Sequence, residues 1–493
     1  MKKIRNMIIL VLVVSFLAAC GGSNGNNDRE PGETTPDDPG FTDPIDYGPS
    51  PYDFQETLMD LEGRVITMLT VGGRNFWDYD REDIDRTPNE TLRQIEILRQ
   101  IGEDYNAEIE LYFHAASGLT AMLISERTAG NAPFDLFEAK MADFTMNTLW
   151  ANNLVIPVTH PSISHVIMPY ENPWRTSDFT TIGEVQWAVS FQPQNSNYVL
   201  EDVIVFNETL RQRFGLPNLY QMVRDGEWTW QNFENILQDI VNASNGTVFP
   251  LIYSHEMNIT PMMVGSNNGR IAENTADGLR FVGDINEPAL AAMHLIQSFG
   301  ERGWFHPYVP THNHSSLGHV GTALANGEAF FGFSWYSMIK NLTRQAPGYE
   351  GEYTFGIIPA PIGPNNTTGH TTVVHNELLY YVMSEIERPY QAAAILVAMA
   401  NRAGQRTYRV LQHEARYSLQ SDASVEMLEM MLNNITIDVS RIHGASRTAA
   451  GTGIVGAGLR ILRSDTTPVV AMQEIQGTMQ GWFDDLNAIV YVD

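Results

Sequence analysis

The chain has 493 residues, 43% hydrophobic and 10% aromatic, which is ample for packed globular domains, and its length suggests two or three domains or lobes. Its 58 acidic and 30 basic side chains give a formal net charge of −28, which argues against nucleic acid as a partner and against an electrostatic hold on anionic lipid. Its single cysteine excludes disulfides, cysteine-ligated zinc sites and thiol catalysis from the rest of the chain.

The first 20 residues have the pattern of an export signal. Basic residues at 2, 3 and 5 precede an apolar run, Met7 to Leu17, that is too short to span roughly 30 Å of hydrocarbon. Residues 17–20 (LAAC) then resemble the lipobox of bacterial lipoproteins, in which the cysteine is lipidated and becomes the mature N-terminus. The prediction is therefore a signal peptide over 1–19 and a lipid (palmitate) on Cys20. A plain signal peptide with an incidental cysteine is the alternative.

The segment after the cysteine predicts a tether. Residues 21–51 are rich in Gly, Asn, Asp, Glu, Pro and Thr, and large aliphatic residues are nearly missing before Ile45. Such a segment cannot bury enough apolar surface to offset its ordering entropy. We expect 20–57 to be a lipidated, disordered, acidic tether.

From about Leu58 the pattern alternates between strand-like and helix-like runs. Strands are predicted at 64–71, 108–113, 134–139, 202–207, 329–334, 353–359 and 378–383, and helices around 92–101, 230–241, 389–403 and 425–432. This rhythm predicts an α/β fold with parallel strand pairing.

Motifs in three stretches share one pattern. The first has a strand ending at Asn207, a Gly-Leu-Pro turn at 215–217 and a Trp-Thr-Trp helix start at 228–230; the second, 324–364, has a helix ending in Asn-Gly, a buried strand, an aromatic pair and a Pro-x-Pro. The third, 369–403, has a strand before a helix that starts near Pro389. In this order they resemble the family 1 extracellular solute-binding proteins of ABC importers, which include many sugar receptors. Phe206 stands where that family usually has a tyrosine.

The resemblance implies a two-lobed periplasmic-binding-protein-like fold (type II), with a hinge and a ligand cleft between the lobes. It implies a first α/β lobe of 58–203 plus 356–386 and a second of 204–355 plus 387–493. Several crossing segments would permit rotation of the lobes while opposing shear.

Aromatic residues after predicted strands are the first candidates for ligand contact, because sugars pack their C–H faces on aromatic rings. These residues are Trp77, Trp335 and Tyr336. The resemblance matches Trp335 to the family's cleft tryptophan. The alternative for each is a core position beneath the cleft.

Polar candidates follow the same strands or match the family's cleft-lining segment. They are Arg74, Asn75, Glu138, Asp143, Gly369 and His370. A solvated surface position is the alternative for each of them.

No metal, cofactor or catalytic residue is predicted. The four histidines between His306 and His319 lack an interleaved carboxylate and helical i, i+4 spacing, and the Asp78–Glu82 run lacks the glycine and the final glutamate of a calcium loop. Nucleophile-elbow, zincin and Walker A motifs are missing from the sequence.

The function predicted is a lipid-anchored receptor on the extracytoplasmic face of the cell membrane. We expect it to be a monomer that captures a solute, an oligosaccharide or sugar derivative, and delivers it to the transmembrane subunits of an ABC permease without changing it chemically. The alternatives are a surface lipoprotein glycoside hydrolase, which needs a carboxylate pair at catalytic separation, and a sensory co-receptor with the same fold.

Overall fold

The computed structural model describes residues 56–71, 89–114, 118–140, 145–170, 180–190, 203–253, 256–307, 316–334, 336, 353–373, 378–402, 421–436, 438–441 and 453–489. Within these ranges the strands are β1 (Arg64–Val71), β2 (Ala107–His114), β3 (Leu136–Lys140), β4 (Val155–Ile156), β5 (Thr181–Ile182), β6 (Val185–Gln186), β7 (Val203–Asn207), β8 (Phe249–Tyr253), β9 (Ala272–Thr275), β10 (Gly278–Phe281), β11 (Ala329–Ser334), β12 (Phe355–Ile358), β13 (Thr372–Val373), β14 (Leu378–Met383) and β15 (Ile435–Thr436).

The helices vary in length from six to twenty residues. They span Asn89–Asp104, Leu119–Thr128, Thr145–Ala151, Pro161–Ile167, Glu208–Arg213, Leu219–Arg224, Trp230–Ala243, Glu256–Gly265, Glu287–Glu301, Ser316–Ala325, 389–402, Asp422–Asn433, Ile454–Leu462 and Pro468–Asn487, with a 3-10 turn at Val439–Arg441. Among the helices within the described ranges, none is both long and apolar enough to cross a membrane.

The long elements confirm the predicted order, and several match at both ends. The strands predicted at 64–71, 329–334 and 378–383 are β1, β11 and β14. The amphipathic helix begins at Trp230 because the Thr229 hydroxyl caps it, accepting a hydrogen bond from the backbone N–H of Asn232.

The first sheet has the strand order β2-β1-β3-β14-β4. Strand β1 is parallel to β2 and β3, whereas β14 is antiparallel to β3. Helices Asn89–Asp104 and 389–402 bury their apolar residues against one face, and Leu119–Thr128 and Thr145–Ala151 cover the other. The carboxyl ends of β1, β2 and β3 therefore share one edge with the amino end of β14.

The second sheet has the order β12-β7-β11-β8. Strand β8 is parallel to β11, and β7 is antiparallel to both β11 and β12. Its core is aromatic: the ring of Phe233 contacts those of Phe331 and Phe299, with centroids 5.4 and 5.9 Å apart. The carboxyl ends of β8, β11 and β12 share one edge of this sheet.

The chain passes three times between the structures built on these two sheets. It leaves the first after residue 190 and enters the second at 203, returns between 373 and 378, and crosses again between 402 and 421. Below, the first lobe means the described residues within 56–190 and 378–402, and the second lobe those within 203–373 and 421–489.

Two segments lie elsewhere than the predicted division places them. Strand β12 falls in the expected first lobe from residue 356 onward, but it pairs along its length with β7 in the second sheet. The helix 389–402, expected in the second lobe, buries its alanine-rich face with Ile66 and Met68 of the first sheet. A four-residue apolar strand or an apolar helix fits the core of either lobe, so its sequence pattern does not determine which sheet it joins or packs against. The other boundaries stay predictions.

Candidate ligand-binding site

The carboxyl edge of the first sheet carries a row of buried polar side chains. The register places Thr70 of β1 beside Glu138 of β3, and Glu138 beside Tyr380 of β14. Each of the three is at most 1% exposed. Because desolvating polar groups is costly unless hydrogen bonds replace water, such a row indicates polar recognition or a specific structural network.

The matching edge of the second sheet combines hydroxyl groups with aromatic rings. Tyr253 ends β8 and Ser334 ends β11, and the two strands run parallel side by side. Tyr336 follows two residues later and is also buried. Hydroxyls beside aromatic rings are the groups that sugar-binding pockets use.

Two hydroxyls at these edges, on Thr70 and Ser334, are buried without a hydrogen-bond partner in the described structure. A buried, unsatisfied hydroxyl costs on the order of 1–3 kcal/mol, so each occurrence calls for an explanation. Neither residue was selected from the sequence, because a single Thr or Ser near the end of an apolar strand carries no distinctive pattern. Only the strand register brings them to the two edges.

Sequence comparison leaves the family open. No protein-family model matches the chain, and no curated protein matches it. The resemblance to the family 1 solute-binding proteins therefore stays a prediction.

Superposition on solved structures establishes the fold. A cyclo/maltodextrin-binding protein solved with maltotetraose superposes with a TM-score of 0.57 and 10% identity, over 85% of this chain and 96% of that one. The sugar-binding protein MalE from Xanthomonas citri gives 0.56 and 13%, over 85% and 97%. The chain has the two-lobed fold of periplasmic binding proteins. The ABC substrate-binding protein Lmo0181 from Listeria monocytogenes, in complex with cycloalternan, agrees (0.52 and 13%, over 85% and 99%).

In this two-lobed fold, two predicted contact residues lie at the carboxyl edges of the sheets. Glu138 belongs to the first edge and Tyr336 to the second. Both are fully buried in the described conformation. Their part in ligand binding stays a prediction.

Gly369 and His370 lie on the segment that follows β12 within the second lobe. Gly369 has a φ of +88° and closes a turn in which its N–H donates to the Asn366 side chain, 3.0 Å away. The Nδ1 of His370 donates to the carbonyl of Ala360 at 3.0 Å, and burial lowers the pKa of His370. These contacts are internal to the second lobe, and the part of both residues in ligand binding stays a prediction.

The remaining predicted residues lie outside the described ranges. They are the ligand-contact candidates Trp77, Arg74, Asn75, Asp143 and Trp335, and the lipidation candidate Cys20.

Metal ligands do not cluster in the described part of the two-lobed fold: no group of three His, Cys, Asp or Glu side chains there could hold an ion. Of the histidines between 306 and 319, His306 has its Nε2 3.6 Å from Glu328 and packs edge-on against Phe249. His319 is exposed, and His312 and His314 lie outside the described ranges.

Proposed function

We propose that this protein captures an oligosaccharide or sugar derivative between its lobes and delivers it to an ABC permease. The observation that carries the proposal is the two-lobed fold, with buried polar side chains and aromatic rings at the carboxyl edges of both sheets. In open α/β sheets, ligands bind outside the carboxyl ends of the strands. Structural neighbours were solved with maltotetraose and cycloalternan, which supports a sugar as the ligand.

The chemistry of the two edges suits a neutral, polyhydroxylated ligand. The carboxylate of Glu138 accepts hydrogen bonds from sugar hydroxyls, and the hydroxyls of Thr70 and Ser334 both donate and accept. Tyr336, with Trp335 beside it in sequence, supplies aromatic surface for the apolar faces of the sugar rings.

The proposed mechanism is binding and lobe closure, with no covalent change to the ligand. A ligand that contacts both lobes binds the closed arrangement better than the open one, so it shifts the population toward closure. Closure presents a surface that the permease subunits recognise.

The proposed location is the extracytoplasmic face of the cell membrane, held by a lipid on Cys20 and the tether 20–57. Metabolic labelling with a palmitate analogue tests this. Label should enter the wild-type chain and not Cys20→Ser, and label in both would remove the anchor from the proposal.

A thermal-shift screen of the Cys20→Ser chain against mono- and oligosaccharides tests the binding function. A ligand at 100 times its dissociation constant stabilises the folded state by about 2.7 kcal/mol, which raises the melting temperature by a few degrees. The ligand should be recovered unchanged. Consumption of the sugar would favour a hydrolase, and a panel without any shift would remove sugars as the ligand class.

A matched pair of variants tests whether the two edges form the site. Ser334→Ala and Ser440→Ala each remove a buried serine hydroxyl that has no hydrogen-bond partner in the described structure. Because only Ser334 lies at a carboxyl edge, Ser334→Ala should weaken binding about three- to tenfold, the value of one hydrogen bond, and Ser440→Ala should leave it unchanged. Equal dissociation constants for the two variants would place the site elsewhere.

A further inference from the structure

A small hairpin of the first lobe is hydrogen-bonded to the second lobe. Strands β5 and β6 form this hairpin, and Gly183 lies in its turn with a φ of +61°. The N–H of Gly183 donates to Oδ1 of Asn274 on β9 at 2.9 Å, and Nδ2 of Asn274 donates back to the Gly183 carbonyl at 3.2 Å. One side-chain amide thus satisfies both backbone groups of a turn residue in the other lobe.

The hairpin is firmly attached to the first lobe. The N–H of Val158 donates to the carbonyl of Gln186 at 2.7 Å. Val189 exchanges two backbone hydrogen bonds with Tyr380 of β14, at 3.1 and 2.8 Å. The hairpin therefore moves with the first sheet.

Asn274 is equally fixed in the second lobe. Its strand β9 pairs with β10, and β10 is held by the helix Pro468–Asn487. Leu279 exchanges two hydrogen bonds with the Asn487 side chain, at 2.7 and 2.9 Å, and the N–H of Phe281 donates to Gln480 at 2.9 Å. The contact therefore joins two rigid parts that belong to different lobes.

Within the described residues, the pairing of Gly183 with Asn274 supplies the hydrogen bonds that link the lobes, and no ion pair there does so. Both residues are only half-buried, so water replaces the lost partners when the contact opens. We propose that this pairing, the Gly183–Asn274 latch, holds the lobes in the described arrangement and opens when they rotate. The proposal rests on the proposed function, because lobe rotation is what the latch restrains.

The latch is small enough to be reversible. Two neutral hydrogen bonds exchanged with water should bias the equilibrium between lobe arrangements by about ten- to a hundredfold. A bias of this size can be overcome by the additional contacts that a ligand makes with the lobes, so both arrangements remain accessible.

The test is the distribution of distances between a spin label on each lobe, measured by double electron–electron resonance without ligand. Spin labels go on Ala121→Cys and Asp239→Cys, exposed helical positions in the first and second lobes, in the Cys20→Ser chain. The parent should give mainly the distance of the described arrangement. Asn274→Ala should broaden the distribution and shift most of the population to a second distance.

Thr275→Ala is the matched control, because it removes a hydrogen bond of 2.9 Å from the Thr275 hydroxyl to the Gly278 carbonyl within the β9–β10 pair that carries Asn274. It should keep the parent distribution. If Asn274→Ala also keeps it, or if Thr275→Ala shifts it equally, the latch is overturned.

Neither result depends on a sugar. A shifted distribution in a protein that binds no sugar would support the latch and reject the proposed ligand. Sugar binding with an unshifted distribution would do the reverse.

Discussion

Replacing Gly356 by alanine should destabilise the second lobe through lack of space. Gly356 lies on β12 directly opposite Phe206 of β7. A β-carbon there would lie 2.1 Å from the Tyr220 hydroxyl oxygen and 2.5 Å from two ring carbons of Phe206. The two rings already pack edge to face, with centroids 5.4 Å apart, and the Tyr220 hydroxyl is hydrogen-bonded to Ser424 at 2.6 Å. Neither ring can move without disturbing a buried contact.

The expected cost follows from these contacts. Forcing an extra carbon into a packed core costs about 1–3 kcal/mol, and loss of the Tyr220–Ser424 hydrogen bond adds about 1 kcal/mol. We therefore expect Gly356→Ala to lower the free energy of unfolding by about 2–4 kcal/mol. Urea unfolding followed by tryptophan fluorescence measures it. The melting temperature is less sensitive, because for a chain this long 1 kcal/mol moves it by only ~1–2 °C.

Gly477→Ala is the matched control for this prediction. Gly477 lies inside the helix Pro468–Asn487, and no atom comes within 4 Å of the β-carbon that alanine would add. Alanine is the better helix former, so this variant should gain about 0.5–1 kcal/mol. A neutral or stabilising Gly356→Ala, or a change of the same sign in both variants, would refute the argument from space.

Two further predictions concern ionisable groups. Arg402 donates hydrogen bonds to two carboxylates: its Nε lies 2.7 Å from Glu56 and its Nη1 lies 2.6 Å from Asp104. Because the Glu56 side chain is only 10% exposed, loss of its partner in Arg402→Met should lower the free energy of unfolding in urea by about 2–4 kcal/mol. Adding Glu56→Gln should recover part of that loss, and strict additivity would contradict the ion pair. Burial lowers the pKa of His370, so the unfolded state takes up the proton first and stability should fall as the pH drops below about 6.5. His370→Gln should flatten this dependence between pH 7 and 5, and an unchanged slope would assign the titration to other groups.

Much of the secondary structure was predictable, because its signals are local. The run AFFGFS is apolar throughout and ends at a polar residue, and it forms β11 at the predicted residues. The stripe from Trp230 to Val241, with Thr229 as its cap, predicted its helix for the same reason. Neighbouring residues alone decide such periodicity and capping.

The candidate site was predictable only in part. Glu138 and Tyr336 could be selected because each stands at the end of, or just after, a predicted strand. Thr70 and Ser334 could not, since their significance depends on the strands beside them. The latch between Gly183 and Asn274 joins residues 91 positions apart, and no pattern in either segment indicates the other.

The sequence by itself determined the elements, their order and the α/β class, because these depend on hydrophobic periodicity over a few turns or strand pleats. Only the tertiary structure decided which sheet took β12 and the helix 389–402, which hydroxyls reached the carboxyl edges, and where the lobes touch. Apolar faces are interchangeable in composition. Their pairing is therefore settled by the shape and volume of the assembled cores.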